Sequence, residues 1–255
     1  MLGTLKRFTR EALAALPGAG QLPGSLRSSG RLPIADLPAT AVLAAQFVAL
    51  EARYGGLVDE LPRNKVSPHD PRSEQQLRTG GMRGGDRMNP VLHNYAPVYA
   101  TYLVPFVGRQ NLVICEVGIL TGIGLAIWCD VFPYATVIGL DIDLQHFNDN
   151  RPALLEKGAF SRNRPEVHTF DQYSATSDDF GTILNGRPID VLIDDGAHRD
   201  EPIVRTFQAA RPHLSPDSVY FAEDNHTVYR RLRRDISREW HAYGQVTVGT
   251  AKAAR

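Results

Sequence analysis

The run LVICEVGILTGIG, residues 112–124, decides the fold. Leu112 to Cys115 are unbroken apolar residues rich in β-branching, the pattern of a strand buried on both faces. Gly118, Gly122 and Gly124 then punctuate a turn, and an apolar helix is expected from about Gly124 to Phe132. Reading outward, ATVIGLDID (135–143), VHTF (167–170), IDVLIDD (189–195) and SVYFAED (218–224) are four more strands. Helical stretches fall between them, notably 202–211. Alternating strands and helices predict an α/β, Rossmann-like fold: a mostly parallel sheet with helices on both faces. Ligands of such sheets bind outside the carboxyl ends of the strands. Each of these five strands ends in, or just before, an acid or a glycine turn.

The first turn suits a cofactor. Gly118 and Gly122 permit positive φ and close backbone approach, and the helix that follows can face a negative group. Asp141 ends the second strand 23 residues past Gly118, where a carboxylate accepts from ribose hydroxyls. Asp171 and Gln172 follow the third strand, with Asp171 near the place of an adenine amino group. The nicotinamide pattern G-x-G-x-x-G fails, because Ala126 and Ile127 follow Gly122-Ile123-Gly124. The actual spacing, E-x-G-x-x-x-G-x-G from Glu116, resembles the first motif of class I S-adenosylmethionine-dependent methyltransferases. Glu116, Gly118, Gly122, Asp141, Asp171 and Gln172 are the candidate cofactor residues.

The fourth strand ends in Asp194-Asp195-Gly196-Ala197-His198 and the fifth in Glu223-Asp224-Asn225-His226. Tips of neighbouring strands lie about 5 Å apart. Asp195, Glu223 and Asp224 are therefore expected to converge, and a hard cation, Mg²⁺ or Mn²⁺, relieves their repulsion. Asp194 should point to the opposite face of its strand and cap or orient a neighbour. His198 then stands as general base for a hydroxyl acidified by the metal. A surface histidine and a solvated acidic loop would explain the same residues, but the two would have to coincide on one sheet rim.

The pair IDDGAH and AEDNHT, with 28 residues from Asp195 to Glu223, resembles the metal-dependent sugar O-methyltransferases of macrolide biosynthesis, the macrocin and mycinamicin type. That resemblance implies Mg²⁺ on Asp195, Glu223 and Asp224, with His198 as base. It extends to GDRMNPVLHNYAPVY (85–99), where Arg87 stands in place of the family's lysine. Asp86, His93, Tyr95 and Tyr99 would close over cofactor or acceptor there, and His93, Tyr95 and His226 are the substrate candidates. The Arg-rich composition also resembles that of actinobacterial enzymes that 3-O-methylate mannose for methylmannose polysaccharides. The main alternative is a catechol-type O-methyltransferase, which Asp224-Asn225 would also suit. That type has a lysine base where this chain has His198, and no lysine lies between Lys157 and Lys252. A nicotinamide-dependent oxidoreductase lacks its third glycine and a Tyr/Lys relay. A binding protein on an inactive methyltransferase fold is the remaining alternative.

Bulk properties set the frame. With 255 residues, one large domain and an extension are expected, divided as a helical segment 1–84, an acceptor lid or dimer contact, and a catalytic domain 85–255. Zero formal net charge gives no global field for nucleic acid or an anionic membrane. Cys115 and Cys129, the two cysteines, read as core thiols of a reducing compartment. No run approaches the roughly 20 apolar residues of a membrane span. The opening MLGTLKRFTREALAALPGAG reads as an amphipathic helix and not a signal peptide, so a cytoplasmic homodimer acting on a small-molecule or oligosaccharide acceptor is expected. A further helix is predicted over 39–54, and residues 61–89 form a long polar connection. After Asp224 a basic helix (Tyr229–Trp240) and one strand (Gly244–Thr250) are expected, which leaves the sheet one strand short of seven.

Overall fold

The computed structural model describes residues 37–58, 63–65, 68, 70, 72–80 and 82–252. The expected amphipathic helix at the N-terminus lies outside these residues. The described chain starts with α1 (Leu37–Tyr54), then β1 (Gly56–Val58), α2 (Glu74–Thr79), β2 (Met82–Gly84) and α3 (Ala96–Leu103). The α/β alternation follows: β3 (Val113–Val117), α4 (Ile123–Val131), β4 (Thr136–Asp141), α5 (Gln145–Glu156), β5 (Glu166–Thr169), α6 (Ser177–Leu184), β6 (Ile189–Asp194), α7 (Asp200–Ala210) and β7 (Leu214–Ala222). The chain ends in α8 (Tyr229–Leu232) and the strands β8 (Arg238–Tyr243) and β9 (Val246–Ala251).

Seven strands form one sheet in the order β5-β4-β3-β6-β7-β9-β8. β3 to β7 pair in parallel, while β9 runs antiparallel to both β7 and β8. β1 and β2 make a separate antiparallel pair. The sheet is therefore complete, which corrects the expectation of a missing strand. The error lay at 229–240: only one turn is helical, and Arg238 onward is strand. Arg238 and Trp240 are buried with the exposed Glu239 between them, the two-residue alternation of a strand. Pairing of Tyr243 with Val246 leaves Gly244-Gln245 as a two-residue hairpin loop.

The pleat sorts side chains onto two cores. On one face Ile114, Val191, Ile193 and Phe221 pack with Leu103, Trp128 and Phe47. On the other Cys115, Leu192 and Tyr220 pack with Phe180 and Phe207. Burying both faces is what makes the central strands unbroken apolar runs. α1 belongs to the first core. Its Phe47 ring meets Trp128 edge-on at 5.7 Å and Tyr99 at 6.3 Å, and Tyr54 donates to Asp130 at 2.6 Å. The carboxyl ends of β3, β4, β6 and β7 all open toward one rim, and none of the helices described is long and apolar enough to cross a membrane.

Candidate active site

A cavity of about 520 Å³ lies along this rim, within the ordinary range for a small-molecule site. Its wall includes Glu116, Gly118, Leu120, Thr121, Asp141, Gln172, Asp195, His198 and Asp224. At one end the turn after β3 folds tightly. Gly118 has φ 85°, and a Cβ on it would lie 2.2 Å from the Asp195 carbonyl oxygen, so only glycine lets the β3 and β6 loops touch. Gly122 caps α4 with φ 79°. Asp141 braces the same turn: its Oδ2 accepts from the Leu120 N–H at 2.9 Å and its Oδ1 from Asp143 N–H at 3.1 Å. Burial nevertheless holds the Asp141 carboxyl above its ordinary pKa.

At the other end lie the tips of β6 and β7. Asp195, His198 and Asp224 each offer a donor atom within 4.8 Å of the other two, close enough to share one divalent ion. His198 Nε2 lies 3.1 Å from Asp195 Oδ1. The Tyr95 hydroxyl donates to Asp224, and His93 Nδ1 lies 3.4 Å from the same Asp224 oxygen. His198 and Asp224 both hold φ 53°, a conformation costly for side-chain-bearing residues that clusters at functional sites. Asn225 locks the two tips together. Its amide nitrogen donates to His198 O at 3.2 Å and to Asp200 Oδ1 at 3.0 Å, and its Oδ1 accepts from the Thr227 and Val228 N–H groups.

Arg87, itself part of the wall, centres an ion cluster. The guanidinium meets Glu116 Oε1 at 2.6 Å, Asp195 Oδ2 at 2.5 Å and Glu223 Oε2 at 2.9 Å. It lies 5.8 Å from the Trp128 ring centroid. Trp128 Nε1 also donates to Glu116 at 3.1 Å, and the Tyr99 hydroxyl donates to the second oxygen of Glu223. Burial opposes ionisation of Asp195, but the Arg87 charge and the His198 contact hold it below the usual carboxylate range. Burial, with the Asp195 charge added, pushes Glu223 up. Burial works against a charged His198, yet the bond to Asp195 and the Asp224 charge outweigh it and raise the imidazole to about 9.

Glu116, Gly118, Asp141, Gln172, Asp195, His198 and Asp224 line this cavity, while Gly122, His93, Tyr95, Glu223, Asp171 and His226 do not. Glu223 is 1% exposed and absent from the wall; it turns inward to Arg87 and Tyr99. Both Glu223 and Asp224 lie just past the end of β7, and Arg87 ties Glu223 to Asp195 across the two strand tips. Asp171 is exposed and accepts from Tyr173 N–H and Ser174 Oγ–H within its own turn. His226 is exposed and off the wall. Gln172 does reach it, in a bracing role. It donates to Asp194 at 2.5 Å and accepts from Ala197 N–H at 2.8 Å. Asp194 is fully buried, holds Gln172 and the Tyr220 hydroxyl, and is pushed up to about 6 by burial. Glu51 and Asp70, from the segment before residue 85, also line the cavity. No motif in the sequence announced either.

These features define the Rossmann-like methyltransferase fold. A family model described as a methyltransferase domain matches residues 115–225. The chain superposes with a TM-score of 0.52 on the MycE methyltransferase from the mycinamycin biosynthetic pathway, solved in complex with Mg and SAH; identity is 21%, over 69% of this chain and 60% of that one. Among curated relatives, an 8-demethyl-8-alpha-L-rhamnosyl tetracenomycin-C 2'-O-methyltransferase of Streptomyces olivaceus is 32% identical over 149 residues, 54% of this chain and 35% of its own length. A mycinamicin VI 2''-O-methyltransferase of Micromonospora griseorubida is 29% identical over 54% of this chain and 33% of its own. An L-olivosyl-oleandolide 3-O-methyltransferase of Streptomyces antibioticus is 27% identical over 87% and 51%. The matches thus cover between a third and a half of the lengths of these relatives.

Proposed function

We propose that the protein is an S-adenosylmethionine-dependent O-methyltransferase that uses Mg²⁺ or Mn²⁺ and methylates a sugar hydroxyl, with His198 as general base. One observation carries the reading: a single cavity joins the glycine turn and Asp141 to the cation-sized cluster of Asp195, His198 and Asp224. The sugar O-methyltransferases among the relatives, and the Mg and SAH bound by MycE, support it. When bound, the cofactor supplies an electrophilic methyl and the cation lowers the pKa of the acceptor hydroxyl.

The chain's own groups divide the remaining work. Gly118 and Gly122 let backbone approach the cofactor, and Asp141 offers oxygens to its ribose while fixing Leu120. Asp195 and Asp224 would hold the cation, with Glu223, next in the chain to Asp224, as the third carboxylate of the set. His198 takes the acceptor proton, which requires a neutral ring. Without a cation the Asp195 and Asp224 carboxylates favour a charged ring; a cation bound to them would oppose that charge, and as for any general base the rate should rise with pH while the ring deprotonates. Tyr95 and His93, beside Asp224, face the acceptor. Positioning of hydroxyl against methyl supplies much of the acceleration.

A mannoside of a polysaccharide precursor is the acceptor we favour for the first trial, beside deoxysugars and catechols. The catechol-type alternative loses ground because Asn225, its extra ligand, spends its amide on His198 and Asp200 and its oxygen on backbone N–H groups. S-adenosylhomocysteine should raise the melting temperature where NAD does not. Asp141→Ala should weaken S-adenosylhomocysteine at least ~10-fold, in line with the loss of a hydrogen bond to a charged group. An unchanged affinity by calorimetry would move the cofactor elsewhere.

A further inference from the structure

The turn 195–198 carries His198 in a conformation that it cannot hold by itself. His198 sits at φ 53° with its side chain 43% exposed, and a residue at positive φ stays there only where its surroundings enforce it. Asn225 pins one end of the turn through His198 O. Gln172 pins the other. It accepts from Ala197 N–H at 2.8 Å and donates to Asp194 Oδ1 at 2.5 Å. Gly196 packs against the same amide, since a Cβ on it would lie 2.5 Å from Gln172 Oε1. Asp194 is a firm partner: it is fully buried, and its second oxygen accepts from the Tyr220 hydroxyl at 3.1 Å.

Sheet pairing does not account for this contact. Gln172 follows β5 and Asp194 ends β6, and β4 and β3 stand between those two strands. Three strand spacings amount to about 14 Å, so the loop after β5 crosses the tips of two strands to reach the turn. We propose that Gln172 is a positioning residue that sets the 195–198 turn, and with it the place of the His198 imidazole, from the loop after β5. The consequence for methyl transfer rests on the reading above, in which His198 is the base. A side-chain amide suits the position because it offers a donor to Asp194 and an acceptor to Ala197 at once.

The test begins with amide hydrogen exchange across residues 195–198 of the full chain, which needs no acceptor. Gln172→Leu removes both bonds, and exchange there should quicken ~10-fold or more. Gln172→Glu keeps an acceptor for Ala197 N–H but sets a second carboxylate against Asp194, and should loosen the turn likewise. Adding Asp194→Asn to Gln172→Glu reverses donor and acceptor, and should return exchange to within ~3-fold of the wild type. Transfer of labelled methyl to methyl mannoside, measured well below the melting temperature of each variant, should follow the same order. The kcat should fall ~10-fold or more in Gln172→Glu, with a smaller change in KM, and recover in the swapped pair. Should Gln172→Leu fail to fold, Gln172→Glu against the swapped pair decides alone. Unchanged exchange in Gln172→Leu, or a swapped pair as loose as Gln172→Glu, overturns the inference and leaves the methyltransferase reading standing. A wild-type chain that transfers no methyl to any sugar overturns that reading, and the exchange rates still decide the role of Gln172.

Discussion

Among single residues, burial and neighbouring charge decide which groups are ionised. Glu51 is the plainest case. It is 3% exposed and accepts from the Met88 N–H, and burial pushes it from 4.5 to about 7. Between those values the folded chain keeps a proton that the unfolded chain has lost, so stability falls as pH rises through that window. Above pH 7 the full cost applies, on the order of 3 kcal/mol at most. Glu51→Gln removes the charge and retains an acceptor for Met88. Its melting temperature should exceed the wild type's by several degrees at pH 8, with little difference at pH 4.5; a lower value at pH 8 would contradict this. His198 makes the opposite demand, since it works only when neutral. His198→Ala should keep S-adenosylhomocysteine binding, lose turnover by ~100-fold or more, and abolish the rise of rate with pH. A near-normal rate in that variant would remove it as the base.

Elements decide whether those residues meet. The loops after β3 and β6 touch at Gly118, and the loops after β6 and β7 are tied by Asn225. Gly118→Ala sets a methyl against a backbone carbonyl at positive φ, and should cost more than ~2 kcal/mol in urea unfolding. A wild-type midpoint would mean the two loops are looser than described. The strands were legible because parallel strands covered on both faces cannot hide their apolar runs. Their tips followed from the same runs, which is how Asp141, Asp195 and Asp224 could be placed in one cavity from spacing alone. β8 was not legible: Arg230, Arg231, Arg233 and Arg234 precede Arg238, and their density mimics a basic helical face. Pairing with β9 and the packing of Trp240 against Phe207 and Tyr220 fix that stretch as strand. The pairing of Glu223 with Arg87 was not legible either. The two lie 136 residues apart, and no local pattern reports a pairing of that length.

At the scale of the whole molecule, the segment before residue 85 is part of the machinery. α1 seals the core beneath Trp128, and Glu51, Asp70 and Gly84 reach the cavity. The Rossmann half supplies the glycine turn, and both halves supply the charges. The most direct measurement is transfer of a labelled methyl group from S-adenosylmethionine to a panel of mannosides, deoxysugars and catechols, with chelator and with Mg²⁺ restored. The account predicts label on a sugar hydroxyl that disappears on chelation and returns with Mg²⁺. Undiminished transfer in the chelated enzyme, or label only on catechols, would contradict it.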